Sequence, residues 1–297
     1  MNRIRRFPAV VSRFCIPVLL LVLSNTASSQ TPPETQPASS PKPARSLEKE
    51  FFRNILNDQV EIWTAPFHLS RKDAKFWAPI ALTTAALIAT DRRSANELGE
   101  KGGSDSRVRV SLGVSRLGGV YTTGGIATAF YLVGVAKHDA RARETGILSG
   151  EALIDAQIVT TVLKVVTQRP RPLVGDPKDD FFDGGHSFPS GHATSAWALA
   201  TVVASEYKHR KAVQFAAYGL ASAVSLSRYT GRTHFLSDVF AGSVIGYTVG
   251  RYVYEKHHTD ESAQTKQEPR HAKWIPLVAP IYSGRDRTYG VALAWRN

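Results

Sequence analysis

Between Phe76 and Tyr254 the chain alternates apolar stretches of helical length with polar breaks that contain glycine. Few segments alternate apolar and polar residues as a half-buried strand does, so the pattern favours helices. Successive helices with short connections pack as antiparallel neighbours. The sequence therefore predicts an all-α fold, an antiparallel bundle of about six helices, at Phe76–Thr90, Leu117–Ala136, Ile147–Lys164, Ala193–Glu206, Ala212–Leu226 and Phe235–Tyr254.

The last part of the chain has a different pattern. Two short apolar and aromatic runs, Trp274–Ile281 and Thr288–Trp295, flank a polar stretch that contains Gly284. Short runs of this kind on either side of turn residues are typical of paired strands. We expect a short β-hairpin here, joined to the bundle by a charged linker.

The first 45 residues are not expected to join a packed core. Four arginines precede or enter the apolar run around Phe14–Leu23, and small polar residues follow it. This is the pattern of a secretory signal peptide, and an uncleaved membrane anchor is the alternative. The proline-rich residues that follow offer little to bury and are expected to stay extended. The protein is therefore expected to be exported, to a periplasmic or extracellular location.

Composition narrows the chemistry. The single cysteine, Cys15, lies in the apolar run of the signal, so a mature chain has no thiol. This excludes disulfides, thiolate catalysis and cysteine-ligated zinc. The net charge of +12 and the isoelectric point near 9.9 suit an anionic partner such as phosphate, phospholipid or nucleic acid. Charge alone does not choose among these partners.

A first cluster of candidate residues begins at Lys164, which ends a predicted helix and is followed by two Arg-Pro pairs at Arg169 and Arg171. The residue before a proline is held extended, and a planar guanidinium suits phosphate oxygens. A lysine at a helix C-terminus is also favoured by the helix dipole in any protein. Lys164 is therefore informative only together with the arginines.

A second cluster, Ser187-Phe188-Pro189-Ser190-Gly191-His192, stands directly ahead of the helix that begins at Ala193. The free N–H groups at a helix start bind anions, and glycine lets the backbone approach a ligand closely. Ser190 could also be an ordinary helix cap. That interpretation leaves His192 unexplained.

A third cluster consists of Arg228, His234 and Asp238. His234 and Asp238 are four residues apart at the start of a helix, so they share one face. A carboxylate that accepts a hydrogen bond from one imidazole nitrogen fixes the tautomer and leaves the other nitrogen free to attack. Because alternate helices of the bundle run in opposite directions, all three clusters are expected at one end of it.

These clusters resemble a known family. Lys164-x6-Arg171-Pro172, Pro189-Ser190-Gly191-His192 and Ser227-Arg228-x5-His234-x3-Asp238 match, in order, the three signature motifs of the type 2 phosphatidic acid phosphatase and vanadium haloperoxidase superfamily. The resemblance covers about residues 147–254. It implies a phosphoric monoester hydrolase that needs no metal, with lipid phosphates among its candidate substrates.

The resemblance also implies a role for each site residue. His234 is the nucleophile and forms a phosphohistidine intermediate, and Asp238 orients it. His192 protonates the leaving oxygen and then activates water. Arg169 and His186 are expected to have a secondary role at most. Phosphate is bound by Lys164, Arg171, Ser190, Gly191 and Arg228.

The same resemblance also implies which cofactors and partners to expect. No cofactor and no metal are expected, and the other histidines are predicted to be surface groups without metal-ligand spacing: His68, His138, His209, His257, His258 and His271. The expected partner is a phosphate ester, with phospholipid and isoprenoid phosphate as candidates, and not nucleic acid. The protein is expected to be soluble or membrane-associated, with its active site on the outer side, and its oligomeric state is not predicted. A vanadate-dependent haloperoxidase and a non-catalytic phosphate-binding module are the alternatives.

The predicted organisation therefore has five parts. They are a signal peptide over residues 1–29, a disordered Pro-rich linker over 30–45, a helical phosphatase domain over 46–256, a charged linker over 257–273 and a C-terminal hairpin over 274–297.

Overall fold

A computed structural model describes residues 47–100, 105–172, 180–258, 277–283 and 288–294. The predicted signal peptide, the Pro-rich linker and nearly all of the charged linker lie outside the described residues.

Eight α-helices are present in the described part of the chain, so the all-α prediction is confirmed and the expected number of six is too low. Six of the eight overlap the predicted helical stretches, with ends that differ by up to ten residues. The helices are α1 (Leu47–Thr64), α2 (Arg71–Glu100), α3 (Asp105–Ser115), α4 (Val120–Lys137), α5 (Ala140–Thr167), α6 (Gly191–Glu206), α7 (Lys211–Thr230) and α8 (Leu236–His257). Short 3-10 turns, Ala65–His68 and Arg116–Gly118, follow α1 and α3.

The two helices that the apolar pattern missed, α1 and α3, bury polar residues. Two of the four buried residues of α1 are Asn54 and Asp58, and α3 buries Ser111 and Ser115. The apolar residues of α3 show little helical periodicity. Those of α1 do recur at helical spacing, but they stand among charged residues and form no long apolar run.

The core is formed by α5, α6 and α8, which meet through small and β-branched side chains. Fully buried members of this core include Leu148, Ala156, Ala198, Val202 and Val253. Small residues allow helix axes to come close, so these three helices form a compact support for the loops at their ends.

Glycines at every fourth position of α8 set its distance from α6. A Cβ atom on Gly246 would lie 2.2 Å from the backbone oxygen of Thr194, and one on Gly242 would lie 2.5 Å from that of Ser190. Because these neighbours are backbone atoms, they cannot move aside as a flexible side chain would. The contacts advance in the same direction along both helices, so α6 and α8 are parallel and their N-termini lie side by side.

The first helix is held to the core by a buried polar network. His257 Nε2 lies 2.8 Å from Asp58 Oδ2, Lys256 Nζ lies 3.0 Å from Asp58 Oδ1, and Asn54 donates a 3.0 Å hydrogen bond to Glu151. His257 is therefore buried, and the prediction that it is a surface group is wrong. The reason is that α8 continues to His257 and α1 packs over its last turn.

Two strands lie in the C-terminal part, β1 (Leu277–Ser283) and β2 (Thr288–Ala294). They pair antiparallel, with Leu277 opposite Ala294 and Ser283 opposite Thr288. The residues between them and the side chains of both strands lie outside the described residues, so the predicted hairpin stays a prediction beyond this pairing.

The described helices give a weak membrane signal. Only α5 among them is long and apolar enough to cross a bilayer, with a mean hydropathy of 1.3, and 61% of that window is buried inside the protein. The pair Ser106–Gly118 and Val120–Lys137 passes the same test if a 43° bend is allowed. A core helix of a soluble protein passes this test as well.

Candidate active site

Four helix ends meet at one end of the bundle and carry the predicted site residues. Lys164 lies in the last turn of α5, Ser190 is the N-cap of α6, Arg228 lies in the last turn of α7, and Asp238 lies in the first turn of α8. Gly191, His192 and His234 lie within four residues of these positions, and Arg171, seven residues after Lys164, is close enough to affect the Lys164 pKa. The structure thus brings all eight predicted residues to the same end.

His234 lies just before α8 with its side chain 3% exposed. Its Nδ1 atom is 3.4 Å from Asp238 Oδ2 and 3.3 Å from Ser187 Oγ. The same carboxylate oxygen accepts hydrogen bonds from the Phe235 N–H at 3.0 Å and from Ser187 Oγ at 2.5 Å. With a proton on Nδ1 facing this carboxylate, Nε2 keeps its lone pair for an electrophile.

Ser187 is a member of this group to which the sequence analysis assigns no role. It is fully buried, and its hydroxyl lies between the imidazole and the carboxylate. Its N–H donates a 2.7 Å hydrogen bond to Arg169 O. A serine in a loop carries no pattern that distinguishes this position, so the contact was not predictable.

Arg169, for which a secondary role at most was expected, belongs to the hydrogen-bond network around Asp238. Its side chain is completely buried, and Nη1 donates to Asp238 Oδ1 at 2.8 Å and to Ser237 Oγ at 2.7 Å. The guanidinium carbon lies 4.2 Å from the centre of the Phe235 ring and 4.8 Å from that of Phe181. Arg169 therefore binds Oδ1 of Asp238, while Oδ2 of the same carboxylate faces His234.

The network continues to Asp91 on α2, which the sequence analysis also missed. Asp91 Oδ2 accepts a 3.0 Å hydrogen bond from Arg169 Nη2, and Asp91 also accepts bonds from the N–H and the hydroxyl of Ser237. Burial raises the pKa of Asp91 in spite of these partners. An unbroken series of contacts thus joins α2 to the His234 imidazole.

Three cations face the site. Lys164 Nζ donates to the backbone oxygens of His186 at 2.7 Å and Ser187 at 3.3 Å. Arg228 is 7% exposed and donates to Ser115 Oγ at 3.1 Å, while Arg171 is exposed. Burial lowers the pKa of Lys164 to about 8, with Asp238 opposing this and the charges of Arg171 and Arg228 adding to it. Burial and then Arg171 lower the pKa of Arg228 to about 10.

Two buried groups at this end have no hydrogen-bond partner among the described residues. They are Arg228 Nε and Ser190 Oγ. Ser190 occupies the N-cap position, and its side chain makes no capping hydrogen bond to the helix. Its N–H instead donates to Asp238 O at 2.9 Å. Buried donors of this kind, at a helix start among cations, suit a bound anion.

His192 lies in the first turn of α6 and is half-buried. Its Nε2 atom would be 3.7 Å from a Cβ atom on Gly119, so the start of α4 borders the ring. Burial, followed by the positive charges around it, lowers the pKa of His192 to about 4. The charge of a bound phosphate would oppose those cations and raise this pKa.

The imidazole of His234 is neutral at pH 7. Burial lowers its pKa to about 4 and outweighs the raising effect of Asp238. Asp238 is itself penalised by burial, but the contacts with His234, Arg169 and Ser187 hold its pKa below the usual value. The pair is therefore a neutral imidazole beside a carboxylate, which is the form required of a nitrogen nucleophile.

A comparison with known families agrees with this arrangement. Residues 146–261 match the model of the PAP2 superfamily, and this range contains every residue of the three motifs. Over this range the chain is similar to the PAP2 superfamily. The helices of the PAP2 segment are α5 to α8, and Asp91 on α2 lies outside it.

The match to an individual curated protein covers a shorter part of the chain. A lipid A 1-phosphatase of Porphyromonas gingivalis is 39% identical over 70 residues, which are 23% of this chain and 16% of that protein. The match thus spans about a sixth of the length of this curated relative.

Two solved structures are also similar. A transmembrane PAP2 type phosphatidylglycerolphosphate phosphatase from Bacillus subtilis has 21% identity and a TM-score of 0.46, covering 65% of this chain and 98% of that one. LpxE from Aquifex aeolicus has 22% identity and a TM-score of 0.40, covering 54% of this chain and 92% of that one.

Proposed function

We propose that the protein is a phosphoric monoester hydrolase that acts on lipid phosphates through a histidine nucleophile. The observation that carries this proposal is the buried His234, held by Asp238 and Ser187 through Nδ1 and surrounded by cations with unpartnered donors. The match of residues 146–261 to the PAP2 superfamily model supports the hydrolase class.

The first chemical step forms a nitrogen–phosphorus bond. His234 Nε2 attacks phosphorus in line with the ester oxygen, and the phosphorus–oxygen bond breaks as His192 donates a proton to the leaving oxygen. The imidazolium that forms keeps its proton on Nδ1 and donates it in a hydrogen bond to Asp238. Lys164, Arg171 and Arg228 neutralise the charge that spreads over the remaining phosphate oxygens.

The second step reverses the roles. His192, now neutral, accepts a proton from water, and the resulting hydroxide attacks phosphorus and displaces His234. Inorganic phosphate is released, His234 is again neutral, and His192 again carries the proton that it gave to the leaving oxygen. Three fixed cations, the Ser190 hydroxyl and the α6 N–H groups supply the electrostatic stabilisation, so the scheme needs no metal at this site.

A long apolar groove beside the site favours a lipid substrate. Its volume is about 770 Å³, and it runs between α1, α4 and α5 past residues such as Phe51, Tyr131 and Ile158. One end includes Val120, next to Gly119 at the His192 ring. Gln157, which lines the groove, also donates a 3.1 Å hydrogen bond to Gly191 O. An acyl chain in the groove would therefore place its phosphate at the cationic end.

Membrane association fits the same proposal. Large apolar side chains on α4 and α7 face outward, including Tyr121 at 94% exposure and Phe215 at 79%. An exposed apolar surface of this kind suits contact with a lipid layer. The lipid A 1-phosphatase relative also supports a lipid phosphate as substrate.

The groove can be tested with a substitution that the fold tolerates. A Cβ atom on Gly124 would meet no atom within 4 Å, so the groove has room where the side chain of Gly124→Leu begins. We expect KM for a long-chain lipid phosphate in micelles to rise about tenfold or more, because displaced methylenes lose their burial. The turnover of a short soluble phosphate ester should stay the same.

Gly125→Leu is the matched control, since Gly125 is exposed, equally open and outside the groove. It should leave both substrates unaffected. Equal effects of the two variants on the lipid would contradict the lipid assignment, and a wild-type protein that hydrolyses neither substrate would contradict the hydrolase proposal itself.

A further inference from the structure

Three side chains converge at the end of the bundle opposite the active site. Glu144 lies in the second turn of α5, Glu206 is the last residue of α6, and His258 directly follows α8. His258 Nδ1 is 3.2 Å from Glu144 Oε1 and 3.3 Å from Glu206 Oε1, and one oxygen or nitrogen atom of each residue lies within 4.8 Å of the others. From His192 to Glu206, α6 rises about 21 Å, so this cluster is separate from the phosphate site.

The cluster contains buried atoms without a hydrogen bond. Glu206 Oε1 and His258 Nδ1 have no hydrogen-bond partner in the part of the chain that the structure describes. The Glu206 side chain is 2% exposed and that of Glu144 is 8% exposed. The Glu206 carboxylate, removed from water with one oxygen atom unpaired, is unfavourable unless a positive charge lies beside it.

The distances suit a particular class of cation. Bonds of about 2.0–2.2 Å to tetrahedral zinc place neighbouring ligand atoms about 3.3 Å apart, which is close to the two separations from His258 Nδ1. An imidazole nitrogen favours zinc and similar transition metals over magnesium and calcium, which prefer oxygen ligands alone.

We propose that Glu144, Glu206 and His258 bind one divalent transition-metal ion, with zinc as the best fit and a fourth position left for water. The ion would join the ends of α5, α6 and α8, the three helices of the core, and so stabilise the bundle. This places His258 in a binding role where the sequence predicted a surface histidine. The ligands come from three distant helices, so no local spacing could have indicated the site.

The test begins with the full chain freed of metal by dialysis against a chelator. On addition of zinc we expect about one ion per chain by mass spectrometry and a rise in Tm of about 5–10 °C when free zinc exceeds Kd about a hundredfold. Magnesium at the same concentration should give neither result. Wild-type protein that binds no zinc, or binds it without a change in Tm, would overturn the proposal.

Glu206→Gln is the decisive variant because it keeps the shape of the side chain and removes its charge. It should lose both the bound zinc and the rise in Tm. His209→Gln, which removes an exposed histidine at the same end of the bundle, should keep both. If Glu206→Gln binds zinc as the wild type does, the cluster is instead an ion pair of a protonated His258 with two carboxylates.

The result is independent of the hydrolase proposal. Removal of the ion should lower Tm while the initial rate of phosphate release at 25 °C stays unchanged, because the catalytic end uses other residues. A fall in that rate on chelation, with no change in Tm, would place the metal at the catalytic end and contradict this site.

Discussion

The two histidines of the catalytic end differ in their partners. His234 faces Asp238 and Ser187 through Nδ1, whereas His192 is half-buried among cations and has no carboxylate contact among the described residues. This difference is the basis for assigning attack to His234 and proton transfer to His192.

Replacing each histidine with alanine should separate these roles. His192→Ala should slow an alkyl phosphate by about 10²–10⁴-fold but spare a nitrophenyl phosphate, whose leaving group needs little protonation. His234→Ala should abolish the hydrolysis of both esters and the acid-labile phosphoenzyme. Rates on the two esters measure this directly, and equal losses for His192→Ala would show that it positions phosphate instead.

The pKa values at the site predict a bell-shaped pH dependence. His234 must be neutral to attack, so kcat/KM should fall as pH drops toward about 4 and the imidazole gains a proton. Lys164, whose pKa is lowered to about 8, must keep its proton to bind phosphate, so kcat/KM should also fall above about pH 8. Rates measured from pH 4 to 10 with a nitrophenyl phosphate, whose leaving group does not need the proton of His192, test both limbs.

Lys164→Arg identifies the group behind the alkaline limb. Arginine stays charged throughout this range, so the variant should keep its kcat/KM above pH 8 even if its maximum is lower. An alkaline limb that remains in the same place would assign it to another group.

The motif residues were accessible from the sequence because each cluster is local. Lys164, Ser190 and His234 mark the ends of predicted helices, and helix direction alone brings those ends together. The contact between Arg169 and Asp91 could not be predicted from the sequence, because it joins residues 78 positions apart and depends on how α2 packs. Buried polar partners of this kind leave no periodic signal.

Contacts between helices carry the orientation of the nucleophile. Asp91 on α2 holds Arg169, which holds Asp238 on α8. We expect Asp91→Asn, which keeps the shape and removes the charge, to lower kcat by about 10–100-fold with little change in KM, as loss of an outer-sphere partner does. The kcat of Arg169→Lys should lie between that of the wild type and that of Arg169→Ala.

Comparing the rates with the stability of the variant shows whether Asp91 positions His234 or only stabilises the fold. Tm and the folded fraction of Asp91→Asn are measured alongside the rates. A loss of rate that only follows the folded fraction would mean that Asp91 fixes α2 and has no influence on His234.

The close approach of α6 and α8 predicts opposite effects for two similar substitutions. Gly246→Ala would place a Cβ atom 2.2 Å from Thr194 O and should destabilise the protein by about 1–3 kcal/mol. Gly219→Ala on α7, where a Cβ atom meets nothing within 4 Å, should stabilise it by about 0.5–1 kcal/mol. Denaturant unfolding of both variants gives the comparison, and equal effects would contradict the packing.

The molecule as a whole carries buried acids that catalysis does not use. Burial is the largest effect on Glu151 and Asp155 and raises the pKa of each to about 7, despite hydrogen bonds from Asn54 and Gln59. In the unfolded chain these acids ionise near pH 4. Their contribution to stability is therefore fully present below that pH and is lost as pH rises through about 7.

Thermal unfolding between pH 5 and 8 tests this. The wild type should lose stability over the range, and Glu151→Gln should lose about 1–3 kcal/mol less, since each unit of pKa shift corresponds to about 1.4 kcal/mol. Glu255→Gln, at an exposed position of α8, is the control and should follow the wild type. Parallel curves for all three proteins would contradict the raised pKa of Glu151.

The reach of Asp91 also bears on where a functional fragment of this protein can begin. A fragment cut to the range that matches the superfamily would keep every motif residue and the two histidines, yet the buried Arg169 would face water where α2 had been. Grafting the motifs onto another bundle would meet the same difficulty. We therefore expect the smallest active fragment to begin before Asp91. Its length is set by a carboxylate that acts on His234 only through Arg169 and Asp238.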